Sequence, residues 1–105
     1  MPYGGSVKLT LLSFDGCPQW ADADSLLAEI ARERGNVVIE RRIVDAPERA
    51  VESQFRGSPT ILVDGVDPFA DPDAPVGLSC RMFQTPAGPA GVPTKAQVLE
   101  AIEAR

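Results

Sequence analysis

Histidine is absent from this 105-residue sequence, which removes the commonest general base and metal ligand. Cys-His and Ser-His nucleophile pairs are thereby excluded. Cysteine is scarce, with two in the whole chain. No apolar run approaches the ~18 residues of a membrane helix. The first residues, MPYGGSVKLTLLSF, carry neither a basic cluster nor an apolar signal region, so a cytoplasmic location is expected. In that compartment the two cysteines are expected as thiols rather than as a disulfide staple. Basic residues are also few: 10 Lys and Arg stand against 15 Asp and Glu, for a formal charge of −5. Nucleic acids and anionic membrane surfaces need clustered cations, so neither is an expected partner. The densest basic spot, Arg41-Arg42, falls in a strand-like run, where adjacent side chains point to opposite faces.

What is present suits one soluble domain spanning residues 1–105, with 44% hydrophobic and 24% charged residues. VKLTLLSF (7–14) reads as a buried strand. Residues 18–34 read as a helix, with Trp20, Ala23, Leu27, Ile30 and Ala31 on one stripe widened by Leu26. Pro18 suits the first turn, Arg32 and Arg34 the last, and Gly35 the residue that ends it. NVVIERRIV (36–44) is a second strand. Asp45 to Glu48 has capping-box logic and opens a short helix with Val51 and Phe55 on one face. TILVDG supplies a third strand closed by Asp64-Gly65, and LSCRMFQ (78–84) a fourth. Residues 66–77 read as an irregular excursion rich in Pro, Asp and Gly, and residues 85–93 as a Gly/Pro loop. Thr94 to Gln97 is a second capping box, opening a helix with Val98, Leu99 and Ile102 inward. The order βαβαββα predicts an α/β fold with a parallel strand pair and an antiparallel return.

Two short motifs carry chemistry on this frame. FDGCPQW puts Cys17 at a strand-to-helix turn, and GSPT puts Pro59 just before the third strand. With these motifs the order resembles the thioredoxin fold: a mixed four-stranded sheet flanked by helices. FDGCPQW, FRGSPTILVDGVDPF and GLSCRMF are also similar to a small actinobacterial-type group of thioredoxin-like proteins. That group reads FDGCPNW, FRGSPTILxDGxDPF and GLSCRxY, and some members carry the label alkylmercury lyase. The resemblance covers almost the whole chain. It implies a reactive thiol at Cys17 and a cis peptide before Pro59. It also implies that Ser58 offers its backbone N–H and C=O to an extended substrate.

A thiol at a helix N-terminus meets unpaired N–H groups and the positive end of the dipole. Such sites lower cysteine pKa values to roughly 3.5–7.5 from about 8.5. Asp15 opposes this if its carboxylate stays close, and it is also a candidate cap or acid. Trp20 stands where a dithiol motif would have its second cysteine. Trp20 begins the apolar stripe and is expected in the core, with a substrate contact as the other reading. Arg56 is a candidate to attract a substrate carboxylate. Pairing residues 78–84 antiparallel with the third strand sets Thr60 opposite Gln84 and Cys80 near Asp64. At ~3.3 Å per residue that separates Cys80 from Cys17 by more than ~10 Å, too far for a disulfide. Cys80 is therefore expected as a structural thiol, with a redox or metal pairing to Cys17, or an intermolecular bond, left open.

Asp64, Asp67, Asp71 and Asp73 raise the question of a hard cation, but the run lacks EF-hand order and reads as solvated turns. Phe69 within it is expected to pin the loop to the domain. Three functions follow. The leading one is a monothiol thiol-disulfide oxidoreductase or thiol-binding domain. Cys17 is its nucleophile, Ser58 and Pro59 its substrate platform, and a small or protein thiol its partner. The second is mercury handling by Cys17, Cys80 and Asp15. The third is a non-catalytic interaction module, marked by an inaccessible Cys17. No cofactor is implied, and the oligomeric state is not legible.

Overall fold

A computed structural model describes residues 6–14, 16–44, 48, 57–69 and 81–104. The first strand, β1 (Val7–Ser13), is buried at every position except Lys8. A strand this apolar needs cover on both faces and pairing on both edges. It gets the pairing by lying at the centre of a three-stranded sheet of order β2-β1-β3. The parallel partner β2 (Val37–Ile43) aligns Val7 with Val37 and Ser13 with Ile43. The antiparallel partner β3 (Thr60–Val63) aligns Leu9 with Val63 and Leu12 with Thr60. The chain is thus mixed α/β, with a mixed sheet.

Between β1 and β2 runs α1 (Trp20–Arg34), whose Ala23, Leu27 and Ile30 are fully buried. They pack against Val7, Leu9 and Leu11 of β1, and Ile61 and Val63 of β3 complete that wall. The terminal helix α2 (Lys95–Ala104) adds Val98 and Ile102 to the same core. A smaller cluster joins Leu12 and Val44 to Phe14 and Leu62. Truncating one fully buried leucine of the main core, such as Leu27, to alanine costs about 2–5 kcal/mol.

The helix ends follow their local chemistry. Gly35 closes α1 in the left-handed region at φ 76°, with its N–H donating to the Ala31 carbonyl at 3.0 Å. Nothing lies within 4 Å of a Cβ placed there, so Gly35→Ala is opposed by backbone conformation alone. A loss of about 1 kcal/mol is expected in urea unfolding, most of it recovered by Gly35→Asn. At α2 the predicted capping box is present. The Gln97 N–H donates to Thr94 Oγ1 at 3.1 Å, and the Thr94 N–H donates back to Gln97 Oε1 at 2.8 Å.

The fourth strand departs from the sequence reading. Only Phe83–Thr85 of that region is a described strand (β4), and it pairs with β5 (Gly88–Ala90), inside the expected loop. Pro86 and Ala87 make the turn, and Gly88 takes φ 109°. Thr85 Oγ1 closes it, donating to the Gly88 carbonyl at 2.6 Å and accepting from the Ala87 N–H at 3.2 Å. This local hairpin satisfies β4, so Gln84 is not opposite Thr60. Instead, the Arg81 N–H donates to the Ser58 carbonyl at 2.9 Å. The register that separated Cys80 from Cys17 is therefore not formed. The short helix expected after Pro47 lies outside the described residues apart from Glu48, which is helical.

Candidate functional site

The link from β1 to α1 is built as two consecutive turns. The Cys17 N–H donates to the Phe14 carbonyl at 3.1 Å, and the Trp20 N–H reaches back to the Cys17 carbonyl at 3.5 Å. Gly16 makes the first turn possible at φ 88°. Because the second turn absorbs Pro18, α1 begins at Trp20 with Gln19 as its N-cap, two residues later than expected. The Gln19 side chain rests on Gly91, where a Cβ would come within 2.5 Å of Gln19 Cδ. Cys17 precedes the helix by this turn instead of occupying its start. It is a free thiol and only 2% exposed.

Ser58 and Pro59 extend β3 backwards beyond Thr60, which pairs with Leu12 near the end of β1. They therefore stand at the sheet end from which Phe14 leads into Cys17. The Ser58–Pro59 peptide is cis, and both residues are fully buried. The Ser58 carbonyl, expected to face substrate, is engaged by the Arg81 N–H. Its hydroxyl oxygen is buried and has no hydrogen-bond partner among the described residues. Asp15, Arg56 and Cys80 lie outside the described residues.

Arg81 holds this corner, and nothing in the local sequence marks it for the task. Its side chain is 8% exposed. It donates to Asp67 through both terminal nitrogens, at 2.7 and 3.2 Å, and to the Phe69 carbonyl at 2.5 Å. A further bond reaches Thr60 Oγ1 at 3.3 Å, and that hydroxyl donates to the Gly57 carbonyl at 2.6 Å. The guanidinium carbon also lies 4.6 Å from the centre of the Phe83 ring. Arg81 thus ties the turn around Pro59 to the loop after β3. Phe69 pins that loop as expected, meeting Phe83 edge-to-face at 5.6 Å.

Two of the four loop aspartates are described, and both are committed to structure. Asp64, at φ 49° beside Gly65, makes a tight turn after β3 and accepts from the Lys8 N–H at 2.9 Å. Asp67 is paired with Arg81. Among the described residues no group of three or more His, Cys, Asp or Glu could hold a metal ion.

Trp20 is not core, contrary to the expectation from its place on the helix stripe. It is 46% exposed, because the first residue of α1 overhangs the end of β2 while Ala23, a turn later, is buried. With Phe14 and Ile43 it walls a groove of about 320 Å³, with Leu11 and Ser13 at the base and Arg41 and Arg42 at the rim. The two arginines have different anchors: Arg41 Nε bonds to Asp24 of α1, and Arg42 lies 2.8 Å from Glu40 Oε1. Lys8 approaches the same Glu40 oxygen at 3.2 Å. The Lys8 hydrogen bond above all, with the charges of Arg42 and Lys8 added, holds the Glu40 carboxyl below its ordinary pKa, and together they outweigh the opposing effect of desolvation. A depressed carboxyl stabilises the fold above its unfolded pKa, and that contribution is lost as pH falls through the folded value.

No family model matches the chain, and no curated protein matches it. Among the described residues no helix is long and apolar enough to cross a membrane.

Proposed function

We propose that this protein is a thioredoxin-fold domain for thiol-disulfide exchange or thiol binding, with Cys17 as its nucleophile. The observation that carries the reading is the position of a free thiol. Cys17 sits in the tight double turn between the central strand and α1, at the sheet end occupied by Ser58 and Pro59. In the exchange, Cys17 thiolate attacks one sulfur of a disulfide R–S–S–R′. The Cys17–S–S–R bond forms, the S–S bond of the substrate breaks, and R′–S⁻ leaves and takes a proton from solvent. A second thiolate, from a small thiol or from Cys80, then attacks the mixed disulfide and releases Cys17. The described part of the FDGCPQW turn has no resolving sulfur, since Trp20 stands in that position.

At 2% exposure the sulfur must be uncovered before it reacts, by local opening or as the partner docks. The same burial favours a second reading, a non-catalytic interaction module that keeps the scaffold. Mercury handling would need Cys80 and Asp15 beside Cys17, and neither is among the described residues. Peptide mapping after brief exposure of the folded protein to hydroxyethyl disulfide tests the proposal. The adduct is expected on the Cys17 peptide; an adduct confined to the Cys80 peptide would overturn the assignment.

A further inference from the structure

We infer that the groove flanked by Phe14 and Trp20 binds small carboxylates with an apolar body. If Cys17 is the nucleophile proposed above, disulfides of that class are its substrates. Size is the first argument. A groove of about 320 Å³ lies at the lower end of the range for small-molecule sites, so it fits a compact ligand and not a protein surface. Composition is the second. Leu11, Phe14, Trp20 and Ile43 supply an apolar surface, and Ser13 adds one hydroxyl.

Charge is the third argument and sets the sign of the ligand. The ionisable side chains in the described lining are Arg41 and Arg42, both cationic. Their counter-ions, Asp24 and Glu40, hold them from outside that lining. Each guanidinium has five N–H donors. Asp24 engages Arg41 through Nε, and Glu40 engages Arg42 through one terminal nitrogen, so donors for a ligand carboxylate remain on each fork. Both side chains are more than half exposed, at 51% and 59%, and accessible from solution. The described lining thus offers spare guanidinium donors and no carboxylate of its own, which discriminates carboxylates from amines of the same length. The groove reaches the reactive turn through Phe14 and Trp20, three residues to either side of Cys17.

Trp20 is the chain's one tryptophan, so its fluorescence reports the groove directly. The probes are dithiodipropionate and cystamine, disulfides of similar length carrying carboxylates and ammonium groups respectively. Binding is measured in the Cys17→Ser protein, where covalent exchange at that residue is removed. Dithiodipropionate is expected to change Trp20 emission saturably, and cystamine to have no effect. Arg41→Gln combined with Arg42→Gln is expected to weaken the anionic probe about tenfold, and added salt to weaken it further. Equal binding of the two probes, or unchanged binding in the double variant with its fold intact by circular dichroism, overturns the inference. Exchange rates in the unsubstituted protein separate this result from the reading of Cys17. Saturable carboxylate binding without exchange leaves the groove assignment standing and removes the nucleophile. Exchange at equal rates with both probes, together with equal binding, does the reverse.

Discussion

Arg81→Ala is expected to lower unfolding stability by about 3–5 kcal/mol, a large fraction of the roughly 5–15 kcal/mol typical of a domain. The reason is the state of the group left behind. Arg81 and Asp67 are 8% and 16% exposed, and they form a two-pronged ion pair. Removing the cation leaves a largely buried carboxylate without its partner, which costs more than the intact pair contributes. Three other acceptors go unserved at the same time. The Phe69 carbonyl and Thr60 Oγ1 lose donors, and the Phe83 ring loses its cation. Asp67→Ala is expected to match the loss, because it strands the guanidinium and also removes the acceptor for the Phe69 N–H at 2.9 Å. Replacing both residues with apolar side chains of similar volume should cost far less than either single change. Urea unfolding checks all three variants; a single-variant cost below about 1 kcal/mol would contradict the buried-pair account. Arg81→Lys keeps the charge but not the planar fork, so it should recover only part of the loss.

Cys17→Ser should reduce disulfide exchange to the uncatalysed background, at a stability cost of about 1–3 kcal/mol for a hydroxyl buried in place of the thiol. Hydroxyl oxygen does not replace a thiolate in this reaction, so no partial activity is expected. Cys80→Ser should leave the first half-reaction, formation of the Cys17 mixed disulfide, at its original rate. If Cys80 supplies the second thiol, only release from that intermediate slows. Stopped-flow exchange with a chromogenic disulfide, followed by mapping of the trapped adduct, separates the two steps. Equal loss of the first step in both variants would remove the distinction in roles drawn here.

The legible parts of this fold are those whose cause is local. β1 is recognisable because a nearly unbroken apolar run has few alternatives to the middle of a sheet. The stripe of Ala23, Leu27 and Ile30, the glycine after Arg34 and the Thr94–Gln97 box each place an element end within two residues. The misreadings share a different origin. Whether Phe83 and Gln84 pair with β3 depends on competition between that strand and the turn at Pro86–Gly88, and the nearer partner wins; residues 78–80 lie outside the described residues. Trp20 has helical spacing, but the stripe runs past the end of the sheet there and the described residues leave it 46% exposed. Arg81 is the clearest case. Its partners lie 14 and 21 residues away, and their convergence follows from the tertiary fold and not from any motif. For the site, sequence marks Cys17, Ser58 and Pro59 individually. The groove at Arg41 and Arg42 appears only when α1 is laid across the end of β2.

The central claim is that the buried sulfur of Cys17 is reactive in the folded state, and the urea dependence of its modification tests it most directly. Cys80→Ser protein is treated with a thiol reagent at a series of urea concentrations well below the unfolding transition. Local opening exposes little surface, so the Cys17 rate is expected to be measurable without urea and nearly flat across the series. A rate that instead rises with the full slope of global unfolding would show that Cys17 is reached only in unfolded molecules, and would leave the domain without its nucleophile.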